Sequence, residues 1–192
     1  MAYKLEGNWV NGFAFDLHTL SSEYLGQDEY GHDRYNNTRS EMGELVYQLK
    51  YQHDSKVVIK IVDLLQKING LEKIDVVIPI PPSNTSRANQ PVFTIATEFG
   101  KRFNIAVFLD VLAKSKGSQE LKSITDPDKR QEALKNAMHI SKHYDLSGKT
   151  VLLMDDLYRS GSTLKVATDL LYSEKCVKNV YVLTMTKTRS NR

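Results

Sequence analysis

The stretch VLLMDDLYRSGST, residues 151 to 163, constrains this chain more than any other. Val151 to Met154 form an apolar run without a polar face, the pattern of a strand buried on both sides of a parallel sheet. Asp155 and Asp156 follow at once. In an open α/β sheet the carboxyl end of a strand is where ligands sit, so the two acids are expected at the rim of a site and not in the core. Arg159, Ser160, Gly161, Ser162 and Thr163 then supply a tight turn rich in hydroxyls. Leu164, Ala167, Leu170 and Leu171 give the apolar stripe of a helix that begins at that turn. A helix N-terminus with small residues and hydroxyls binds anions. Acceptors for hydroxyl groups therefore stand beside donors for a phosphate, which is the pattern a sugar phosphate needs. The same residues also suit a plain connection, with Asp156 starting a turn and Ser162 or Thr163 capping the helix.

The flanking segments read as an α/β chain. Residues 1 to 40 lack a sustained period and suggest loops and short strands, for example Trp9 to Leu17. Thr38 or Ser40 can cap the helix that follows, although Gly43 stands where a capping box would need Glu or Gln. Met42, Leu45, Val46 and Leu49 share one helical face, and Val57, Val58, Ile61, Val62, Leu65 and Ile68 share a second, which ends at Asn69-Gly70. Ile74 to Ile80 reads as a buried strand, Gln90 to Phe103 as a helix and Ile105 to Leu112 as another strand. Residues 113 to 135 are polar, suggesting a loop or lid that runs into a helix from Asp128 to Met138. Val180 to Thr186 is expected to form a strand joined to the opening one by a right-handed βαβ crossover, before a basic, frayed tail.

Two further segments belong at the same sheet edge as the acids. Pro81-Pro82 force an irregular loop at a strand end, and Ser83, Asn84, Thr85, Ser86 and Arg87 present hydroxyls, an amide and a cation there. Beside a phosphate site, this reads as a second anion-binding loop. Lys114 and Lys116, close to the next strand end, are placed to reach an anion.

Composition removes several classes. At 192 residues the chain suits one domain with a real core, and 41% hydrophobic with 26% charged residues excludes disordered and fibrous classes. No apolar run approaches the ~20 residues of a bilayer span, and MAYKLEGNWV lacks the core of a signal peptide, so a cytoplasmic location is expected. Cys176 is the single cysteine, which excludes an internal disulfide and a cysteine-rich zinc site. His18, Asp28, His32 and Asp33 match no common ligand spacing, so no metal is expected on protein side chains. A net charge of +3 suits a polyphosphate ligand, is too small to argue for nucleic acid as a direct partner, and accompanies neither a G-x-x-x-x-G-K-[ST] nor a G-x-G-x-x-G motif.

A strand, an acidic pair, two residues and a loop of Arg159 followed by hydroxyl-Gly-hydroxyl, opening a helix, resemble the ribose-phosphate fingerprint of the type I phosphoribosyltransferases. LKY at 49 to 51, IPIPP at 78 to 82, Asn89-Gln90, KGSQELKS before LKNAM at 134 to 138, and VYVLTMTKT at 180 to 188 occur in the order seen in the ComF-like members. This chain lacks their zinc-binding cysteines, has Arg159 at a loop position usually held by Thr, and does not align Arg87 with their Arg-Gly-Phe-Asn-Gln arginine.

The resemblance implies a type I phosphoribosyltransferase fold: a central, mostly parallel sheet flanked by helices over 41 to 188, an N-terminal hood-like subdomain over 1 to 40, and a basic tail at 189 to 192. It implies phosphoribosyl pyrophosphate (PRPP) as ligand, its ribose on Asp155 and Asp156 and its 5-phosphate on Arg159, Ser160, Gly161, Ser162 and Thr163. Pyrophosphate would rest on Pro82, Ser83, Asn84, Thr85, Ser86 and Arg87, with Mg²⁺ bound mainly through PRPP. Asp155, Asp156, Lys114 and Lys116 are the implied catalytic set, and Lys50 and Tyr51 form a hood over an unidentified small-molecule acceptor. A homodimer is compatible with this reading. So are two other functions on the same fold, a non-catalytic PRPP or nucleotide sensor and an effector that consumes PRPP or nucleotides.

Overall fold

In the computed structural model, residues 2–52, 54–83, 90–115, 127–142 and 144–189 are described. The chain opens with β1 (Tyr3–Lys4), β2 (Asn11–Leu17) and the hairpin of β3 (Thr19–Gln27) with β4 (Asp33–Arg39). Helix α1 (Glu41–Tyr47) runs into a π-helical turn, Gln48–Gln52, and α2 (Val57–Leu65) follows. Next come β5 (Val76–Pro79), α3 (Pro91–Phe103), β6 (Ala106–Val107), β7 (Leu112–Lys114), α4 (Pro127–Ala137) and β8 (Met138–Ile140). The last unit is β9 (Thr150–Tyr158), α5 (Ser162–Lys175) and β10 (Asn179–Lys187).

The main sheet has the order β1-β2-β10-β9-β5-β6, and only β1 runs antiparallel to its neighbour. Period-two alternation along β9 divides the core. Val151 and Leu153 pack on the α5 side with Leu164, Ala167 and Leu171, while Leu152 and Met154 face the other layer with Met42, Ile61, Ile95 and Phe99. A strand buried on both faces needs an unbroken apolar run, which is what Val151–Met154 supply. Among the described residues, no helix is long and apolar enough to cross a membrane.

This order creates a switch point. From β5 the chain moves outward through α3 to the edge strand β6, whereas β9 lies on the opposite side of β5 and leads through α5 to β10. Connections leave β5 and β9 in opposite directions, opening a crevice at their carboxyl ends where ligands bind in sheets of this kind.

Several expected elements shift. β2 joins the main sheet, parallel to β10, with Phe13 opposite Leu183 and Ala14 opposite Thr184. The strand expected over Ile105 to Leu112 is split. β6 pairs with β5, a turn follows at Leu109 and Asp110, and β7 pairs with β8 in a separate two-stranded sheet. The turn is tied down from outside, since Tyr144 donates a hydrogen bond to Asp110 at 2.8 Å and stacks on Phe108 at 4.1 Å. Met138, expected in a helix, begins β8.

Helix α1 is seated tightly on the end of β2. Ser40 is its N-cap, accepting a hydrogen bond from the Gly43 amide at 2.9 Å while its hydroxyl donates to the Leu17 carbonyl. A Cβ at Gly43 would collide with the backbone carbonyl of His18. Gly→Ala inside a helix ordinarily gains about 1 kcal/mol. Gly43→Ala is expected instead to destabilise the fold by about 1–3 kcal/mol through overpacking. Urea unfolding checks this, and an unchanged or higher midpoint would contradict the packing of α1 on His18.

Candidate functional site

The loop between β9 and α5 is shaped by a glycine. Gly161 occupies the left-handed region at φ +76°, and a Cβ there would lie 2.8 Å from the ring of the buried Tyr158. Ser160 Oγ and Ser162 Oγ stand 3.0 Å apart across it. α5 starts without a side-chain cap. Amides of a helical first turn have no partners within the helix, so an uncapped start ringed by hydroxyls suits a phosphate.

The acidic pair lies beside this loop but is still in strand. β5 stops pairing at Pro79, opposite Met154, whereas β10 continues, with Thr184 opposite Asp155 and Thr186 opposite Leu157. Asp155 and Asp156 therefore stand beyond the end of β5 while supported by β10, and β9 runs on to Tyr158. The expectation that the strand ends before them is corrected by this one-sided pairing.

Both acids line one cleft, but their hydrogen-bond partners differ. Asp155 shares the cleft with Lys114, Ser83, Pro82 and Thr163. Lys114 Nζ donates to Ser83 Oγ at 3.3 Å. Burial, and then the charge of Asp156 next to it, push the Asp155 carboxyl up to about 7, against the opposing pull of Lys114, the Asp156 amide and Lys50. Asp156 instead accepts from Lys50 Nζ at 2.7 Å, with both side chains mostly shielded from solvent. Burial works against the Lys50 ammonium, but the attraction and hydrogen bond of Asp156 outweigh it and raise its pKa above the ordinary lysine value. A π-helical turn at the end of α1 carries Lys50, and such turns are frequent at functional sites.

A further group surrounds Asp156 that sequence patterns did not single out as a site. His18 follows directly on β2, its amide donating to the Lys187 carbonyl at 2.8 Å. Thr186 donates its hydroxyl to the Asp156 carbonyl at 3.0 Å and lies 3.3 Å from His18 Nδ1. A threonine hydroxyl has one proton, so Nδ1 must donate in return, which leaves Nε2 with a lone pair. Burial first, then the positive charge of Arg39, with Lys50 and Arg159 adding to it, hold the imidazole below its usual pKa, while Asp156 pulls the other way. Arg39 lies 3.7 Å over the Tyr47 ring, and Tyr47 and Tyr51 are 5.0 Å apart.

Residues 48–190 match the phosphoribosyl transferase domain family. This chain belongs to that family. No curated protein matches the sequence. Solved structures similar to this phosphoribosyltransferase domain include a Staphylococcus aureus hypoxanthine phosphoribosyltransferase, at 18% identity, covering 72% of this chain and 67% of that one with a TM-score of 0.43. Another is a Saccharomyces cerevisiae adenine phosphoribosyltransferase, at 12% identity over 86% and 84% of the two chains, TM-score 0.44. A third is a Bacillus anthracis hypoxanthine-guanine phosphoribosyltransferase, at 16% identity over 78% and 70%, TM-score 0.44. Membership rests on the sequence match and not on these distant structures.

Within the phosphoribosyltransferase domain, the expected residues gather unevenly. Pro82, Ser83, Lys50, Lys114, Asp155, Asp156 and Thr163 line one cleft. Arg159 is exposed, with Ser160 and Ser162 half-buried beside it, and Tyr51 is exposed next to Lys50. Asn84, Thr85, Ser86, Arg87 and Lys116 lie outside the described residues. Asp28 and His32 hold the β3–β4 turn: Asp28 accepts from the amides of Tyr30 and His32, each at 2.9 Å. Among the described residues, no group of three or more His, Cys, Asp or Glu is placed to hold a metal.

Proposed function

We propose that this phosphoribosyltransferase-domain protein binds PRPP in the β5–β9 crevice and transfers its 5-phosphoribosyl group to an acceptor with release of pyrophosphate. The observation that carries this is the adjacency of the Asp155–Asp156 pair to an uncapped α5 N-terminus ringed by Ser160, Ser162 and Thr163. Carboxylates accept the ribose hydroxyls, and the loop with the α5 amides receives the 5-phosphate. Ser83 and Lys114 stand on the β5 side, where pyrophosphate would leave. The LKY, IPIPP and VYVLTMTKT segments support placing the protein in the ComF-like branch.

In the transfer, the bond between the anomeric carbon and the pyrophosphate oxygen breaks, and its electron pair departs with pyrophosphate. A lone pair on the acceptor forms the new bond to that carbon, and the acceptor's displaced proton passes to solvent. Cationic character at the anomeric carbon is met by the carboxylate of Asp156, and Lys114 offsets charge on the leaving group. Two adjacent carboxylates and nearby hydroxyls are hard oxygen donors that fit Mg²⁺ as an ion held mainly through the oxygens of PRPP. When bound, Mg²⁺ supplies charge neutralisation of pyrophosphate.

Incubation with PRPP, Mg²⁺ and a panel of nitrogenous bases and amines, followed for pyrophosphate, tests the reading. Acceptor-dependent release is the expected result. Micromolar PRPP binding without release for any acceptor would sink the transferase and assign the sensor function instead.

A further inference from the structure

The β3–β4 hairpin stands apart from both hydrophobic cores. It forms a two-stranded sheet of its own, exposed from Leu20 to Leu25 on β3 and from Asp33 to Thr38 on β4. A lone hairpin is marginal in water, so its order needs support. Within the chain that support is local: Asp28 builds the turn, Tyr24 and Tyr35 pack at 5.4 Å across the strands, and Ser22 donates to Asn37 at 2.7 Å. Arg189 reaches the Leu20 carbonyl and Ser22 at the base. Both tyrosines remain half exposed.

The two edges of the hairpin differ. Thr19 to Ser21 on β3 spans Arg39 to Thr38 on β4, and Tyr24 to Gln27 spans Tyr35 to Asp33, so each time β3 holds one residue more. Gly26, at φ +90°, lies in the second of these irregularities. Bulges twist an edge away from further pairing. β4 has no extra residue, and it carries no proline or lysine of the kind that blunts an open edge. Among the described residues, no strand pairs with its outer side.

The β4 sequence, DRYNNTR, also complements itself when reversed. Antiparallel pairing centred on Asn36 overlaps the whole strand and sets Asp33 of each copy opposite Arg39 of the other, with Arg34 opposite Thr38 and Tyr35 opposite Asn37. The same operation on β3 sets Glu23 against Glu23, a repulsive pair. On β4 it makes the two Tyr35 residues diagonal neighbours, so that the Tyr24–Tyr35 pairs of both copies join into one aromatic face.

We propose that β4 is a self-pairing edge, through which two copies of this chain join antiparallel about a two-fold axis at Asn36 and make one four-stranded sheet. Main-chain hydrogen bonds and the tyrosine face supply the attraction. The exposed Asp33–Arg39 pairs are worth little each and serve to fix the register. One short strand per copy is a small interface, so the dimer dissociates in about the micromolar range.

Sedimentation velocity over about 1–200 µM chain reads this equilibrium directly. Asn36→Lys opposes two ammonium groups on the axis, yet faces Glu23 within its own hairpin, where the new charge is welcome. It is expected to raise the dissociation constant at least about 10-fold. Asn36→Glu should do the same, and an equimolar mixture of the two variants should dimerise, because opposite charges then meet on the axis. Circular dichroism checks that each variant folds. Hydrogen exchange of the wild type needs no variant: β4 amides should slow as concentration rises, while those of β3 should not. A wild type that stays monomeric, a dimer that neither variant weakens, a mixture that fails to dimerise, or β4 exchange independent of concentration overturns the proposal.

Discussion

Replacing Asp155 by Asn is expected to make the protein more stable at pH 8 while weakening its hold on PRPP. The Asp155 carboxyl is pushed up to about 7 by burial and by Asp156, from 3.8 in an unperturbed chain. A folded-state value above the unfolded one means that the native state binds this proton more tightly. Its contribution is therefore complete below pH 3.8 and is lost as pH rises through about 7, so the wild type at pH 8 bears a half-buried negative charge in the cleft wall. Asn bears none, and its carbonyl oxygen can still accept from the Asp156 amide, as Asp155 Oδ1 does at 2.8 Å. Asp155→Asn should gain roughly 1–3 kcal/mol at pH 8, with the gap closing as pH falls from 7 toward 4. PRPP affinity should fall about 10–100-fold, since a charge-assisted acceptor is lost. Thermal unfolding at pH 5 and pH 8, with calorimetric titration of PRPP, reads both effects. A variant less stable than wild type at pH 8 contradicts the assignment of a strained, function-bearing carboxyl. Sites that sacrifice stability in this way are ones where ligand chemistry decides which residue is kept.

Gly161→Ala carries the second large effect. Its φ of +76° costs an L-residue about 1–2 kcal/mol. The new methyl would also press on the Tyr158 ring from 2.8 Å, and Tyr158 is buried, so the loop must move instead. Displacing Ser160 and Ser162 moves the hydroxyls proposed to hold the phosphate, and PRPP affinity should fall on the order of 100-fold. Gly148→Ala provides the comparison, because Gly148 also has positive φ, at +69°, but open space around it. It should lose only the positive-φ cost, about 1–2 kcal/mol by urea unfolding, and bind PRPP like the wild type. If Gly161→Ala binds PRPP normally, the α5 loop is not the phosphate site.

Local elements were legible where pattern and consequence are both local. The helical faces of α1 and α2, the Ser40 cap, and the strand, acids, turn and helix of β9–α5 all follow from spacing within a dozen residues. Ile105 to Leu112 misled because a run of mostly apolar residues does not reveal that Tyr144 reaches back to Asp110 and Phe108 and breaks it into two strands. His18 was visible as a residue but not as a member of the site, since its relation to Asp156 passes through Thr186, 168 positions away. Lys50 was expected over the acceptor, and the contact seen is with Asp156, 106 positions on, made by a π-helical turn that a 3.6-residue period does not announce.

By itself the sequence determined that a buried strand ends near two acids, that a hydroxyl-Gly-hydroxyl turn opens a helix beside them, and that a proline-bounded strand end belongs nearby. Those features depend on covalent order, side-chain period and backbone freedom at Gly161. The tertiary structure decided which strands lie side by side, and through that which charges meet. With β2 against β10 and β5 ending one step before Asp155, both acids share a cleft with Lys50 and Lys114, while Asp156 takes the Lys50 hydrogen bond and carries the Thr186–His18 link on its carbonyl. Pairing across a sheet is set by burial and hydrogen bonding between segments far apart in the chain, so the division of two adjacent aspartates into unlike environments exists only in the fold.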